Sequence, residues 1–220
     1  MQPSITPILA TPLGVVPLPE AARWHTAAAE ALTRHAAADA ARGSLGPSPL
    51  VQVGSDDAMA WSDEPVRALI AEILRGIGWV ARNVNRFAPG EFESLALQAR
   101  AAYLIVNRDG GLGARNHPMT AWTGIYCLEA PERAPDRPDS GMLRIYESRM
   151  GNMFADATTD AMVLPFLPGH CGFHLAPALL AVFPGGSTYE IAPVRGPGRL
   201  LAVTVQARFV APGQKGVTRW

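Results

Sequence analysis

Hydrophobic residues near the start of the chain repeat at the spacing of a helix. The segment 20–42 is rich in alanine, and a helix there places Trp24, Ala28 and Leu32 on one stripe. Gly43 follows the segment, at a position where glycine commonly ends a helix. The pattern therefore predicts an amphipathic helix whose apolar stripe needs a partner surface.

A second helical pattern follows a loop at residues 43–49, which is rich in glycine, serine and proline. Ser62 precedes the pattern and is of a residue type that caps helix N-termini. Apolar residues then recur at spacings of three and four, at Val66, Leu69, Ile70, Ile73, Leu74, Ile77 and Val80. This stripe predicts a helix that packs on a sheet or on the first helix.

The pattern changes after about Ala99, where short runs rich in valine, isoleucine, tyrosine and threonine are separated by glycine and proline clusters. These runs predict strands at Ala101–Asn107, Trp122–Glu129, Met142–Glu147, Ala178–Phe183, Ser187–Ala192 and Arg199–Val210. Two helices followed by antiparallel strands favour a mainly β fold in which helices cover one face of a jelly roll. We expect one domain over residues 1–220, with helical support at 1–98 and a β-barrel core at 99–212.

Composition and charge narrow the class of protein. Apolar residues make up 48% and charged residues 17%, which is typical of a globular domain and not of a disordered chain. Lysine plus arginine and aspartate plus glutamate both total 19, so the chain has no overall positive field that attracts nucleic acid or anionic lipid. We therefore expect neither a nucleic-acid nor a membrane partner, and a homodimer stays open.

The start of the chain and its cysteine count predict a cytoplasmic protein. Residues 1–14 lack a basic segment and contain three prolines, which argues against a secretory signal. No apolar run of the sequence is long enough to cross a bilayer. The two cysteines, Cys127 and Cys171, do not suggest a disulfide framework, which fits a reducing compartment.

Two short blocks in the second half of the chain carry a resemblance to a known family. Residues 115–127 read RNHPMTAWTGIYC, which is similar, without gaps, to the H-x-H-P-x-x-x-x-S-G-x-Y-Y segment of a bacterial and phage branch of the 2-oxoglutarate/Fe(II) oxygenases. Residues 183–193 read FPGGSTYEIAP and resemble that branch's F-P-S-x-x-x-H-x-V-x-P segment, and Arg199 follows where the family keeps an arginine. Residues 103–110 also resemble the strand and glycine turn that lead into the first block.

The resemblance implies a double-stranded β-helix that uses Fe(II) and 2-oxoglutarate to oxidise a small-molecule or peptidyl substrate. In the family, three side chains hold the iron and leave open positions for the keto acid and for oxygen. The family's arginine binds the far carboxylate of 2-oxoglutarate, a role that Arg199 would take in this chain. The cofactors supply the oxidising chemistry, and the protein positions the substrate.

Two of the three positions that the family uses for iron carry other residues in this chain. The first histidine falls on Arg115 and the distal histidine on Tyr189, whereas His117 is kept. A guanidinium stays protonated and offers no lone pair to a cation. A phenol, whose pKa is ordinarily near 10, is a poor ligand for Fe(II) at neutral pH. His117 and Tyr189 remain the catalytic and metal-site candidates, and Arg115 becomes a second cationic contact for an anionic cofactor.

The segment 170–174 is an alternative source of metal ligands. It contains His170, Cys171 and His174, and imidazole and thiolate both bind first-row transition metals. Either the site has lost iron and uses no cofactor, or these residues recruit a metal together with His117 and Tyr189. The sequence leaves both alternatives open.

Candidate substrate contacts come from the same two blocks. Trp122 and Tyr126 point to one face of a strand, and Thr123 and Ile125 point to the other, so only one set lines the barrel. We predict Trp122, Tyr126 and Glu190 as substrate-pocket residues, although large aromatic rings more commonly form core. The glycines at 185–186 either widen the entrance or form a turn.

Three functions fit these observations. The first is an oxygenase of the hydroxylase type with an atypical metal site, which uses His117 with unconventional partners and Arg199 for the keto acid. The second is a non-catalytic module that binds an anion or another small molecule on the same barrel. The third is a metal-independent isomerase or lyase, with His117, Tyr189 and Glu190 as acid/base candidates.

Overall fold

Two helices precede most of the strands in the computed structural model, which describes residues 10–43, 48–54, 57–146 and 169–213. A 3₁₀ turn at Pro19–Trp24 leads into α1 at His25–Ala41, and α2 spans Glu64–Val84. Shorter 3₁₀ turns lie at Ala58–Ala60 and Phe92–Ser94. Both predicted helices are therefore present, and the first begins as a 3₁₀ turn.

The ends of the helices agree with the sequence prediction in one case and differ in another. Gly43 follows α1 with φ +69°, a left-handed backbone conformation that glycine adopts without strain, as predicted. The prediction that Ser62 caps α2 is wrong by one residue, because Asp63 occupies the N-cap position. The Asp63 carboxylate instead reaches α1, where it lies 2.9 Å from Nε2 of His35 and 3.3 Å from Arg34. These contacts tie the start of α2 to α1.

The described residues form ten strands in two antiparallel sheets. The strands are β1 (Gly14–Pro17), β2 (Val51–Val53), β3 (Ala96–Val106), β4 (Leu112–Arg115), β5 (Trp122–Glu129), β6 (Met142–Tyr146), β7 (His170–His174), β8 (Leu179–Pro184), β9 (Tyr189–Ile191) and β10 (Leu200–Val210). The larger sheet has the order β1-β8-β5-β10-β3-β2, and the smaller sheet has the order β4-β9-β6-β7. All six predicted strands are present: Trp122–Glu129 has the predicted ends, and the other five have shifted ends, with Glu147 of the predicted Met142–Glu147 lying outside the described residues. The prediction missed β1, β2, β4 and β7, which are only three to five residues long.

The two sheets face each other, and the helices cover the outer face of the larger sheet. Along β10, Leu201, Val203 and Val205 belong to the core under the helices, whereas Leu200 and Ala202 belong to the core between the sheets. Each fully buried leucine or valine side chain contributes roughly 1.5–3 kcal/mol, so both layers stabilise the fold substantially. The architecture is a double-stranded β-helix, or jelly roll, flanked by two helices, as the sequence predicted.

Helix α2 lies close to the larger sheet because β5 carries a glycine beneath it. A Cβ on Gly124 would lie 2.8 Å from Cδ1 of Ile77, so a larger residue would push the helix away. The predicted stripe of α2 is buried against the sheet, with Leu74 only partly buried. Neither α2 nor any other helix within the described ranges is long and apolar enough to cross a membrane.

Candidate functional site

The two sequence blocks meet at one cavity between the sheets. Strand β4 ends at Arg115, which lies opposite Tyr189 of β9 in the register of the smaller sheet. The backbone N–H of His117 donates to the carbonyl oxygen of Gly185, in the turn between β8 and β9, at 2.7 Å. Arg115, His117 and Tyr189 all line the same cavity, whose volume is about 180 Å³. The three positions that the resembling family uses for iron ligands are therefore close together in this fold.

Tight packing of two turns fixes the loop that carries His117. The backbone N–H and the hydroxyl of Thr120 both donate to the carbonyl oxygen of His117, at 3.0 and 2.9 Å. A Cβ on Gly185 would collide with Thr120 and lie 2.9 Å from the same carbonyl oxygen, whereas a Cβ on Gly186 would meet nothing within 4 Å. Gly185 is thus required for close contact between the two turns and does not widen the entrance.

His117 and Tyr189 form a hydrogen bond inside the cavity. The Tyr189 hydroxyl lies 3.0 Å from Nε2 of His117, and Nε2 of Gln206 lies 3.4 Å from the same ring nitrogen. The Tyr189 ring is 2% exposed and packs edge-on against Phe183, with 5.2 Å between ring centroids. Tyr189 therefore faces the cavity with a fixed hydroxyl.

The protonation states of this pair follow from burial and from one nearby charge. Burial raises the pKa of Tyr189 to about 12, against an opposing effect of the Arg115 guanidinium. Burial, and secondly the positive charge of Arg115, lower the pKa of His117 below its ordinary value. At neutral pH the phenol is therefore protonated and the imidazole is neutral, and the ring tautomer decides whether the Tyr189 hydroxyl donates to Nε2 of His117 or accepts from it.

Two guanidinium groups and one carboxylate also line the cavity. Arg115 is exposed, and its Nε makes one long contact of 3.4 Å to a backbone carbonyl. Arg100 pairs with β10 through its backbone. Its guanidinium makes no hydrogen bond or ion pair within the described residues. Oδ1 of Asp57 accepts hydrogen bonds from the backbone N–H groups of Met59 and Ala101 at 3.1 and 3.0 Å. The cavity thus contains two positively charged guanidinium groups, and these make one long hydrogen bond between them to the described part of the protein.

Four of the polar residues that line the cavity were not predicted as site residues from the sequence: Asp57, Arg100, Thr204 and Gln206. A signal existed for two of them, because Thr204 and Gln206 are polar residues at alternate positions of strand β10, which is apolar apart from these two and Arg208. Arg100 and Asp57 lie outside the resembling blocks. Their position at the cavity follows from the pairing of β3 with β10 and from the 3₁₀ turn after Asp57.

The residues in the cavity do not fit an Fe(II) ion. A facial iron site needs three side chains with lone pairs free for the metal. Arg115 has no lone pair to offer, and the Tyr189 phenol keeps its proton at neutral pH, which leaves His117 as a single nitrogen ligand, and its Nε2 is already hydrogen-bonded to Tyr189. Across the described ranges, no three or more histidine, cysteine, aspartate and glutamate side chains come together as a metal-binding group.

The alternative ligands at 170–174 do not join His117. They form β7, which is separated from β9 by β6 in the smaller sheet. His170 and His174 share one face of β7 but are four residues apart, about 13 Å along a strand, and Cys171 points to the other face. Nε2 of His174 lies 2.8 Å from the carbonyl oxygen of Pro138, and the His170 ring packs near Tyr146. The three side chains therefore cannot converge on one ion from this strand.

Arg199 lies on the helix side of the larger sheet, away from the cavity. Its guanidinium makes two parallel hydrogen bonds to the Glu129 carboxylate, at 2.8 and 3.0 Å, and a third at 3.1 Å to the Thr33 hydroxyl of α1. The Glu129 contact raises the pKa of Arg199 above its already high ordinary value. This placement corrects the prediction that Arg199 binds a cofactor beside His117, because its donors are already used by Glu129 and α1.

The predicted substrate-pocket residues also lie outside the cavity. Trp122 and Tyr126 are buried in the core layer under the helices, and the Tyr126 hydroxyl lies 2.6 Å from Nε2 of His25. Glu190 points to the outer face of the smaller sheet, where Arg144 donates to it at 2.9 Å. The prediction of a pocket role for these three residues is therefore corrected: strand alternation turns each side chain away from the barrel interior.

Solved structures of similar fold are 2-oxoglutarate/Fe(II) oxygenases. A prolyl-4-hydroxylase from Pseudomonas putida is 14% identical, with 89% of this chain and 91% of that chain covered and a TM-score of 0.56. HygX from Streptomyces hygroscopicus, solved with nickel and 2-oxoglutarate bound, is 11% identical, with coverages of 94% and 85% and a TM-score of 0.56. The non-haem, α-ketoglutarate-dependent carbocyclase SnoK from nogalamycin biosynthesis is 10% identical, with coverages of 94% and 84% and a TM-score of 0.58.

These similarities establish the fold. The chain has the double-stranded β-helix of the 2-oxoglutarate/Fe(II) oxygenases over most of its length. A scan against protein-family models gives no match to the chain, and a search of curated proteins gives none either. Because one fold hosts many chemistries, the function must be argued from the cavity itself.

Proposed function

We propose that this chain is a non-catalytic domain that binds a small organic anion in the cavity between β4, β9 and β10, without iron. The proposal rests on which residues occupy three neighbouring positions of that cavity, namely Arg115, His117 and Tyr189. Arg115 brings a positive charge, and His117 and Tyr189 are engaged with each other by a hydrogen bond of 3.0 Å. A cavity with two guanidinium groups against one carboxylate, and with free donors, is suited to an anion.

The guanidinium groups supply the attraction. A planar guanidinium binds a carboxylate through two parallel hydrogen bonds, and a hydrogen bond to a charged group contributes roughly 1.5–3 kcal/mol. The terminal nitrogens of Arg115 and the whole guanidinium of Arg100 have no hydrogen-bond partner among the described residues. Both side chains line one cavity, so a single ligand can use both.

Neutral polar groups complete the proposed site. Gln206 of β10 lies beside the His117–Tyr189 pair and provides an amide for orienting the ligand, whereas the Thr204 hydroxyl donates to the carbonyl oxygen of Ala102 at 3.2 Å and offers the ligand only its lone pairs. The volume of about 180 Å³ is below the roughly 300–1,000 Å³ of sites for drug-sized molecules, which favours a small ligand.

The other functions suggested by the sequence have less support. Oxygenase chemistry needs a metal, and His117 offers the cavity's single imidazole ligand among the described residues. Acid/base chemistry with Glu190 has less support because Arg144 holds that carboxylate on the outer face of the smaller sheet.

Thermal unfolding in the presence of EDTA tests the proposal. A ligand that binds only the folded chain raises its melting temperature with concentration. We expect small mono- and dicarboxylates to stabilise the chain in EDTA, and we expect Arg115→Gln to remove most of that effect. Arg86→Gln is the matched control, because Arg86 is an exposed arginine that does not line the cavity. Stabilisation that requires added Fe(II), or an absence of stabilisation by every carboxylate tested, would overturn the proposal.

A further inference from the structure

The cavity has a negative pole as well as its two positive charges. Asp57 lines the same cavity as Arg100 and Arg115, yet it forms an ion pair with neither of them in the described part of the chain. Opposite charges that share a cavity without pairing are available to a ligand that carries both signs.

The backbone fixes the position of the Asp57 carboxylate. Its Oδ1 accepts hydrogen bonds from the backbone N–H of Met59, in the 3₁₀ turn that Asp57 caps, and from that of Ala101 in β3. Oδ2 makes no hydrogen bond within the described residues. A carboxylate held by two N–H groups cannot swing toward an arginine without losing both bonds.

A ligand that satisfies all three charges needs two carboxylates and one ammonium group. Each guanidinium is satisfied by a carboxylate, and an ammonium group with three donors satisfies the free oxygen of Asp57. A plain dicarboxylate would leave the Asp57 carboxylate facing a molecule of like charge, which costs affinity.

We propose that the ligand is a small acidic amino acid or a similar aminodicarboxylate, with its ammonium group at Asp57 and its carboxylates at Arg100 and Arg115. This inference rests on the proposed anion-binding function and adds the chemical class of the ligand. Asp57 is then the residue that distinguishes amino acids from the corresponding dicarboxylates.

Calorimetric titration of the full chain in EDTA tests the inference. The probes are L-glutamate and L-aspartate, glutarate and succinate as the same carbon chains without the ammonium group, and γ-aminobutyrate as the analogue with one carboxylate. We expect glutamate or aspartate to bind at least about tenfold more tightly than its partner dicarboxylate, as for one charge-assisted hydrogen bond. We also expect glutamate and aspartate each to bind more tightly than γ-aminobutyrate.

Asp57→Asn is the informative variant because its amide oxygen still accepts hydrogen bonds from Met59 and Ala101, so the turn is retained. The variant should lose the preference for the amino acid and keep its affinity for the dicarboxylate. Equal binding of glutarate and glutamate by the unaltered chain, or a preference that persists in Asp57→Asn, would overturn the inference.

The two proposals fail in different ways. If glutarate or succinate binds at least as well as the amino acids and Arg115→Gln abolishes that binding, the anion-binding function stands and the aminodicarboxylate class is overturned. If no probe binds, both are overturned. The titrations of the unaltered chain and of Arg115→Gln decide between these outcomes even if Asp57→Asn fails to fold.

Discussion

The hydroxyl of Tyr189 lies 3.0 Å from Nε2 of His117, although the two residues are 72 positions apart in the sequence. The hydrogen bond joins β9 of the smaller sheet to the loop after β4, inside the cavity. In the resembling oxygenases both positions hold iron ligands. In this chain they bind each other, and Arg115 beside them adds a positive charge that lowers the pKa of His117.

The two arginines suggested by the sequence should have separate effects on ligand affinity. Arg115→Gln removes a cavity guanidinium and should weaken binding of a small carboxylate by about tenfold or more. Arg199→Gln should leave that affinity unchanged, because Arg199 is held by Glu129 on the helix side of the sheet. Isothermal titration calorimetry on both variants measures the difference. A larger loss of affinity in Arg199→Gln than in Arg115→Gln would contradict the assignment of the cavity.

Two of the buried tyrosines, Tyr126 and Tyr189, provide a second matched pair. Tyr126→Phe removes the partner of His25 and should lower the free energy of unfolding by about 1 kcal/mol without changing ligand affinity. Tyr189→Phe removes the hydroxyl in the cavity and should change ligand affinity as well as stability. Denaturant unfolding and calorimetry on each variant separate these effects. Altered affinity in Tyr126→Phe alone would show that the wrong face of the larger sheet has been assigned to the ligand.

Alanine substitution at two adjacent glycines tests how the His117 loop is held. Gly185→Ala should destabilise the chain by roughly 1–3 kcal/mol, because its Cβ would collide with Thr120 and press on the carbonyl of His117. Gly186→Ala should stay within about 0.5 kcal/mol of the unaltered chain, because a Cβ there meets nothing within 4 Å. Urea unfolding gives both values. Equal losses in the two variants would argue against close packing of the turns.

Stability should fall as the pH is lowered from about 7 toward 5. The folded chain lowers the pKa of His117, by burial and then by Arg115, and that of His25 by burial, so the unfolded chain takes up these protons first. The contribution of each neutral histidine is therefore complete above the ordinary pKa near 6.5 and is lost progressively below it. His117→Asn and His25→Asn should each flatten the dependence measured by urea unfolding at several pH values. A slope over pH 5–7 that neither substitution changes would contradict these shifts.

Sequence patterns predicted the fold better than the direction of individual side chains. Apolar periodicity located α1, α2 and six strands because each buries a long stripe or an alternating face. The same periodicity does not indicate which face of β5 meets the barrel interior. Strand β5 is buried on both faces, and its apolar residues are nearly continuous. Trp122 and Tyr126 were therefore assigned to the wrong layer.

The candidate site was predicted in part. The motifs predicted that Arg115, His117 and Tyr189 belong to one site. The three residues lie together because β4 pairs with β9 in the fold that the motifs imply. Spacing alone did not predict the direction of Arg199, which precedes an irregularity in the β5–β10 pairing and meets Glu129. Arg100 comes from a strand outside the motifs, so only the tertiary fold reveals it.

Anaerobic titration of the unaltered chain with Fe(II), followed by calorimetry, tests the central claim most directly. The double variant Arg115→His/Tyr189→His is the positive control, because with His117 it places three imidazoles at the adjacent positions. We predict no stoichiometric binding of Fe(II) by the unaltered chain and measurable binding by the double variant. Stoichiometric Fe(II) binding by the unaltered chain that His117→Ala abolishes would contradict a cavity built for an anion.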